Sequence, residues 1–280
     1  MSVHYRSLEI QGHQVFYREA GPADAPTVVL LHGFPSSSHM YRNLIPRLAE
    51  RYHVVAPDYL GSGHSDAPSP DEFTYTFDSM ASLVTDFLTK LGIDRFAMYI
   101  QDFGAPIGLR IASRNPSWVT AIVTQNGNAY LEGIGADYLP VLGGHPTPEQ
   151  LRPVITLEGT RSQYLDGEPD PTLVSPDAWL HDQAVLDRPG TDLIQFSMLG
   201  DYHNNLTRYP EFHAYFRTSQ VPLLAVWGKG DPIFVPAGAG AFRTDLPDAE
   251  VHLLDAGHFA LESQVDVISD HMLRFLARSL

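Results

Sequence analysis

The chain has 280 residues, 44% of them hydrophobic, and sets 18 Lys+Arg against 33 Asp+Glu for a formal net charge of −15, so it can bury one large core without staples. An acidic surface repels phosphate backbones and anionic lipid heads, which argues against nucleic acid and membranes as partners. There is no cysteine, and disulfides, thiolate metal sites and a cysteine nucleophile are excluded together.

The opening "MSVHYRSLEIQGHQVFYREAG" alternates apolar and polar residues, and no run approaches roughly 18 apolar residues, so a soluble, cytoplasmic protein is expected. "SLEI" and "HQVFYREA" flank Gln11-Gly12 and predict a β-hairpin, and "PTVVLLHG" is an apolar run suited to an interior parallel strand. "HMYRNLIPRLAE" has helical spacing, with Leu44, Ile45 and Leu48 on one face, and "YHVVAPDYLG" is a second buried strand. "DSMASLVTDFLTKLG" predicts an amphipathic helix capped at its start by Asp78 and stopped by Gly92. Strand "FAMYI", helix "APIGLRIASRN" and strand "VTAIVTQNG" follow, and this alternation predicts a doubly wound α/β sheet with helices on both faces.

After Gly127 the alternation stops, and aromatic, proline and histidine residues become dense up to Ser219. A structureless loop of that length inside a compact domain is improbable. "VPLLAVWGKGD", "AEVHLLDAGH" and "QVDVISDHMLRFLARSL" then restore the α/β pattern. The expected organisation is a core formed by residues 1–127 and 220–280, with residues 128–219 inserted as a helical cap.

Chemistry-bearing residues gather just past strand ends, in "LLHGFP", "YIQDFG", "WGKGDP" and "DAGHFALE", where ligands bind in open parallel sheets. In "AMYIQDFGAPIG" a carboxylate, Asp102, sits at the tip of a turn beside the small residues Gly104 and Ala105, with Pro106 suited to a first helical turn. Alone, Asp102 reads more readily as the cap of a helix beginning at Phe103. Its company is what argues for catalysis: a histidine after the last strand, an acid after the preceding one and a His-Gly turn after an early one. Gly63-His64-Ser65-Asp66-Ala67 has the form of a serine-nucleophile motif, but the glycines and prolines around it predict a loop.

Together these motifs resemble the α/β-hydrolase fold, and within it the branch with an aspartate nucleophile, the epoxide hydrolases and haloalkane dehalogenases. The resemblance covers both core segments and implies a mostly parallel eight-stranded sheet flanked by helices. It also implies roles: Asp102 as nucleophile, His258 as general base, Asp231 as the acid that orients it, and the backbone N–H groups of Phe34 and Phe103 as the oxyanion hole. Asp102 would attack a saturated carbon to form an alkyl ester, which a His258-activated water would hydrolyse. Ile100 stands where the serine enzymes of this fold carry glycine.

The leaving group separates the two activities. Haloalkane dehalogenases cradle halide with a tryptophan after the aspartate and an asparagine or tryptophan elsewhere, and here Phe103 and Phe34 stand in those places. Epoxide hydrolases use two cap tyrosines to donate to the alkoxide. Tyr202, followed by Asn205, fits that pattern; Tyr164 is the second candidate, with Tyr138 as rival, and Trp179 is the cap residue able to bind halide. Fluoroacetate dehalogenases place arginines after the aspartate, where this chain has Phe103 and Pro106. The expected pocket is apolar, lined by His32, Phe34, Phe103, Trp179 and Phe259, and takes a small apolar organic substrate. The expectation is therefore an epoxide hydrolase needing no cofactor and no metal, monomeric or a homodimer. Dehalogenation is the alternative, and a catalytically silent binding protein on the same fold is the alternative of another class.

Overall fold

An eight-stranded sheet frames the computed structural model, which describes residues 2–280. The strands are β1 (His4–Ile10), β2 (His13–Ala20), β3 (Thr27–Leu31), β4 (His53–Pro57), β5 (Phe96–Gln101), β6 (Val119–Gln125), β7 (Leu223–Gly228) and β8 (Glu250–Leu254). They lie in the order β1-β2-β4-β3-β5-β6-β7-β8. β1 and β2 form the antiparallel hairpin turned by Gln11 and Gly12, β2 pairs antiparallel with β4, and every later pairing is parallel. The interior parallel strands are largely apolar because both faces are covered, whereas the edge strand β8 is partly exposed and carries Glu250 and His252. In β3, Val29 and Leu31 pack on one face while Val28 and Leu30 pack on the other.

The helices are α1 (Ile45–Leu48), α2 (Phe77–Lys90), α3 (Gly104–Arg114), α4 (Leu139–Leu142), α5 (Pro148–Leu151), α6 (Leu157–Leu165), α7 (Pro176–Leu186), α8 (Thr191–Gly200), α9 (His203–Ser219), α10 (Ala237–Ala241) and α11 (Ala260–Ser279). α2 and α3 cover one face of the sheet, and α1 and α11 cover the other. Among the described residues, the segment between β6 and β7 adds no strand to the sheet; it runs through α4 to α9. Arg110 of α3 reaches Asn205 of α9 (2.8 Å), and Arg188 donates to Gly63 O (2.7 Å), fastening this segment to the rest. No helix among the described residues is long and apolar enough to cross a membrane.

Two local expectations need correction. "HMYRNLIPRLAE" is not one helix but a 3-10 turn, Ser38–Tyr41, followed by α1, because Pro46 lacks an N–H and its ring bars a helix continuing from residue 42. The apolar face was nevertheless real, for Leu44, Ile45 and Leu48 are fully buried. Asp78 does not cap α2. Thr76 does, in extended backbone, its hydroxyl accepting from Ser79 N at 3.1 Å, while Asp78 in the first turn pairs with Arg110, Arg114 and Arg208. Thr76→Ala is therefore expected to lower the unfolding free energy by about 1 kcal/mol, measured by urea denaturation with an unchanged m-value.

Candidate active site

The chain leaves β5 at Gln101, turns at Asp102 and enters α3 at Gly104. Asp102 has a left-handed backbone, φ +48°, which costs an L-residue roughly 1–2 kcal/mol. Such strain collects at functional sites. The turn is tight enough that a Cβ on Gly104 would meet Leu31 O at 2.1 Å, and one on Gly33 would meet Asp102 Cβ at 2.3 Å. The Asp102 side chain makes no capping bond to α3; instead Phe34 N donates to its Oδ1 at 2.6 Å.

His258 follows β8 and lies between two carboxylates. Its Nδ1 is 2.7 Å from Asp231 Oδ2, and its Nε2 is 3.8 Å from Asp102 Oδ2. A carboxylate accepts, so the imidazole carries its proton on Nδ1 and presents a lone pair at Nε2. Asp231 is fixed in turn, with Ile233 N and Phe234 N donating to Oδ1 at 2.8 and 3.1 Å, and Asn126 Nδ2 to Oδ2 at 2.8 Å.

A family model described as alpha/beta hydrolase fold matches residues 26–264. The chain belongs to the α/β-hydrolase fold family. Over 285 residues it is 41% identical to the uncharacterized hydrolase YNR064C of Saccharomyces cerevisiae, covering 98% of each chain. It is 38% identical to a haloalkane dehalogenase of Mycobacterium marinum over 115 residues, 41% of this chain and 38% of that one. The structure of the epoxide hydrolase CorEH superposes with a TM-score of 0.80 at 23% identity over 99% of both chains, a likeness of fold.

Burial pushes the Asp102 carboxyl of this hydrolase above the usual carboxylate range, against the pull of His258 and the amides of Phe34 and Phe103. Burial acts to lower the His258 imidazole, but Asp231, bonded to it, and Asp102 together raise it above its ordinary value. Tyr202 is pushed well above the usual tyrosine range by burial, its neighbour Tyr209 and the Asp102 charge, so its hydroxyl keeps its proton.

A cavity of about 260 Å³ opens over Asp102, walled by Phe34, Phe103, Phe234, Tyr138 and Tyr202 and by apolar side chains of the helical segment. Ser162 and Gln163 border it too, and the Gln163 Nε2 is buried with no hydrogen-bond partner. A crevice of about 20 Å³ beside it touches Tyr138, Gln163 and His258, room for one water.

The structure thus brings Asp102, Asp231, His258, Phe34, Phe103 and Tyr202 together, but four expected residues do not line the cavity. The Tyr164 hydroxyl donates to Asp182 Oδ2 (2.5 Å), whose carboxyl burial raises to about 7, and its ring stacks on Phe259 at 3.9 Å. Trp179 packs against Tyr164, and Phe259 is spent in the same stack. His32 is a buried post whose Nε2 accepts from Tyr59 N and whose ring stacks on Tyr59 at 4.1 Å. Successive residues on a helix point about 100° apart, so turning Tyr164 away turns Gln163 toward the cavity. Tyr138, the rival, does line it. Ser65, in the competing serine motif, donates to Asp58 O and accepts from Phe16 N, holding a loop.

Sequence reasoning missed Asn126, Gln101 and Gln163. Asn126, also left-handed at φ +50°, clasps Gly228 through both N and O while it supports Asp231. Its only signal was its place at a strand end. Because the Asp102 charge helps to raise His258, Asp102→Asn should move the His258 titration midpoint to lower pH. In the unmodified protein the midpoint should lie above the ordinary value of about 6.5, and imidazole NMR shifts against pH read both.

Proposed function

We propose that this hydrolase opens epoxides to vicinal diols through an alkyl ester on Asp102. The observation that carries the reading is that Asp102 and the buried Tyr202 line one apolar cavity in which Phe34 and Phe103 offer no side-chain N–H. With Oδ1 held by Phe34 N, Oδ2 is the oxygen free to attack a ring carbon. The carbon–oxygen bond of the ring breaks, and its oxygen takes the proton of Tyr202, with the Gln163 amide as a second hydrogen-bond donor. His258 then removes a proton from a water that attacks the carboxyl carbon of the ester, and the Phe34 and Phe103 amides hold the resulting oxyanion. The acyl carbon–oxygen bond to the substrate breaks and the departing alkoxide takes the proton from His258; the acid proton left on Asp102 passes to the Tyr202 phenolate, which restores both groups. Residues 128–219 act as the cap that excludes bulk water. The substrate is small and apolar.

Dehalogenation is the second reading, because an amide donor such as Gln163 with Tyr202 could also cradle a halide. His258→Gln, confirmed folded by circular dichroism, should trap the ester, read by intact mass after incubation with an epoxide panel and a bromoalkane panel. An adduct on Asp102 from epoxides alone is expected. An adduct from bromoalkanes alone, with bromide released, overturns the proposal, and no adduct from either favours a binding protein. Tyr202→Phe should slow adduct formation from epoxides by about 100-fold in stopped-flow single turnovers.

A further inference from the structure

We propose that Gln101 is a positioning residue for His258, its side-chain amide donating to the resting imidazole and turning over to accept from the imidazolium. The inference rests on the reading of His258 as the base that hydrolyses the ester. Gln101 Nε2 lies 3.0 Å from His258 Nε2. With Nδ1–H committed to Asp231, Nε2 has one lone pair, and the Gln101 N–H occupies it. That lone pair is the one a base needs for water. Asp102 Oδ2, at 3.8 Å, is too far to compete as a hydrogen-bond partner.

The other end of the amide supplies the reason to turn. Gln101 is fully buried at the end of β5, and its Oε1 has no partner, an unfavourable state for a buried acceptor. The terminal torsion of a glutamine is broad and roughly two-fold, so the amide can exchange its ends within one space. Neutral imidazole is matched by N–H toward Nε2. Imidazolium is matched by Oε1 toward Nε2–H, a charge-assisted and stronger bond.

In the hydrolytic step the bond from water oxygen to acyl carbon forms as the water proton moves to Nε2, and Gln101 Oε1 accepts from the new N–H. When the acyl carbon–oxygen bond to the substrate breaks, the alkoxide takes that proton and the amide turns back. The charged groups facing this pair are Asp231, Asp102 and Glu168, which accepts from Gly257 N at 3.3 Å. None of them can donate to Nε2 as a carboxylate.

The sign of one titration tests this. In the substrate-free protein, Gln101→Met, or Gln101→Leu if the methionine variant does not fold, removes a weak bond to the neutral ring and a stronger one to the charged ring. The His258 midpoint should therefore fall, by on the order of half a pH unit, read by imidazole NMR. An amide fixed as a donor stabilises only the neutral form, so a rise in the midpoint overturns the proposal, and so does no change. Single-turnover mass measurements with a reactive epoxide should show adduct formation within about twofold of the unmodified protein and ester hydrolysis slowed about 10-fold or more. Equal slowing of both steps would mark Gln101 as scaffold and overturn the proposal. If the unmodified protein forms no adduct with any epoxide, the epoxide reading fails while the titration still decides the role of Gln101.

Discussion

Asp102 can hold its left-handed backbone only because Gly33 and Gly104 let two loops approach more closely than any side chain would allow. The strain, roughly 1–2 kcal/mol, is offset by what the approach permits. A backbone N–H donating to a carboxylate contributes about 1.5–3 kcal/mol, and Phe34 N supplies one at 2.6 Å. The parallel sheet makes the meeting possible, since β3 and β5 are neighbours in register, Leu31 beside Ile100, and both chains leave the sheet at the same edge. The elbow and the loop that serves it are therefore one construction. Moving either would lose the bond and leave the strain uncompensated.

From that fixed carboxylate the division of labour between two acids follows. Asp231 accepts from His258, Asn126, Ile233 and Phe234, so its oxygens are occupied and its geometry is set. Asp102 has Oδ1 tied to the loop, while Oδ2 faces a cavity with apolar walls. One carboxylate is arranged to orient a ring, and the other keeps an oxygen that the proposed reaction uses. His258, buried between them, is raised because their combined negative charge outweighs the desolvation of an imidazolium.

Local signals in the sequence reached far, and their limits have physical causes. Continuous apolar runs and glycine loops located the parallel strands, and the loops past their ends pointed to Asp102, Asp231 and His258, which the structure brings together at the edge where ligands bind in parallel sheets. The helical segment was legible as helical only through what it lacked. Which way a side chain points there depends on tertiary docking, and that is why Tyr164 and Trp179, chosen by residue type, turn into packing around Asp182 while Gln163 enters the cavity. Asn126 was passed over as the orienting acid, and Gln101 given no role, because amides do not titrate. Their contribution is geometric, visible only once β6 and β5 deliver them beside Asp231 and His258.

The misread cap of α2 joins the fold to the site. Asp78, relieved of capping by Thr76, pairs with Arg110, whose guanidinium is almost wholly buried and also donates to Asn205 in the first turns of α9. Tyr202 immediately precedes that helix, so the ion pair that ties α3 to α2 also fixes where Tyr202 stands. Its ring is then pinned edge-on against Phe77, at 5.7 Å and 89°, and stacked beside Phe234 at 6.3 Å. Phe77 begins α2 and its N–H donates to Asp201, the residue before Tyr202, at 2.9 Å. A half-exposed acid thus helps to set where Tyr202 stands in the wall of the cavity that Asp102 also lines. A buried arginine demands a partner, and meeting that demand through Asn205 as well as Asp78 makes the placement of α9 part of the stability of the core.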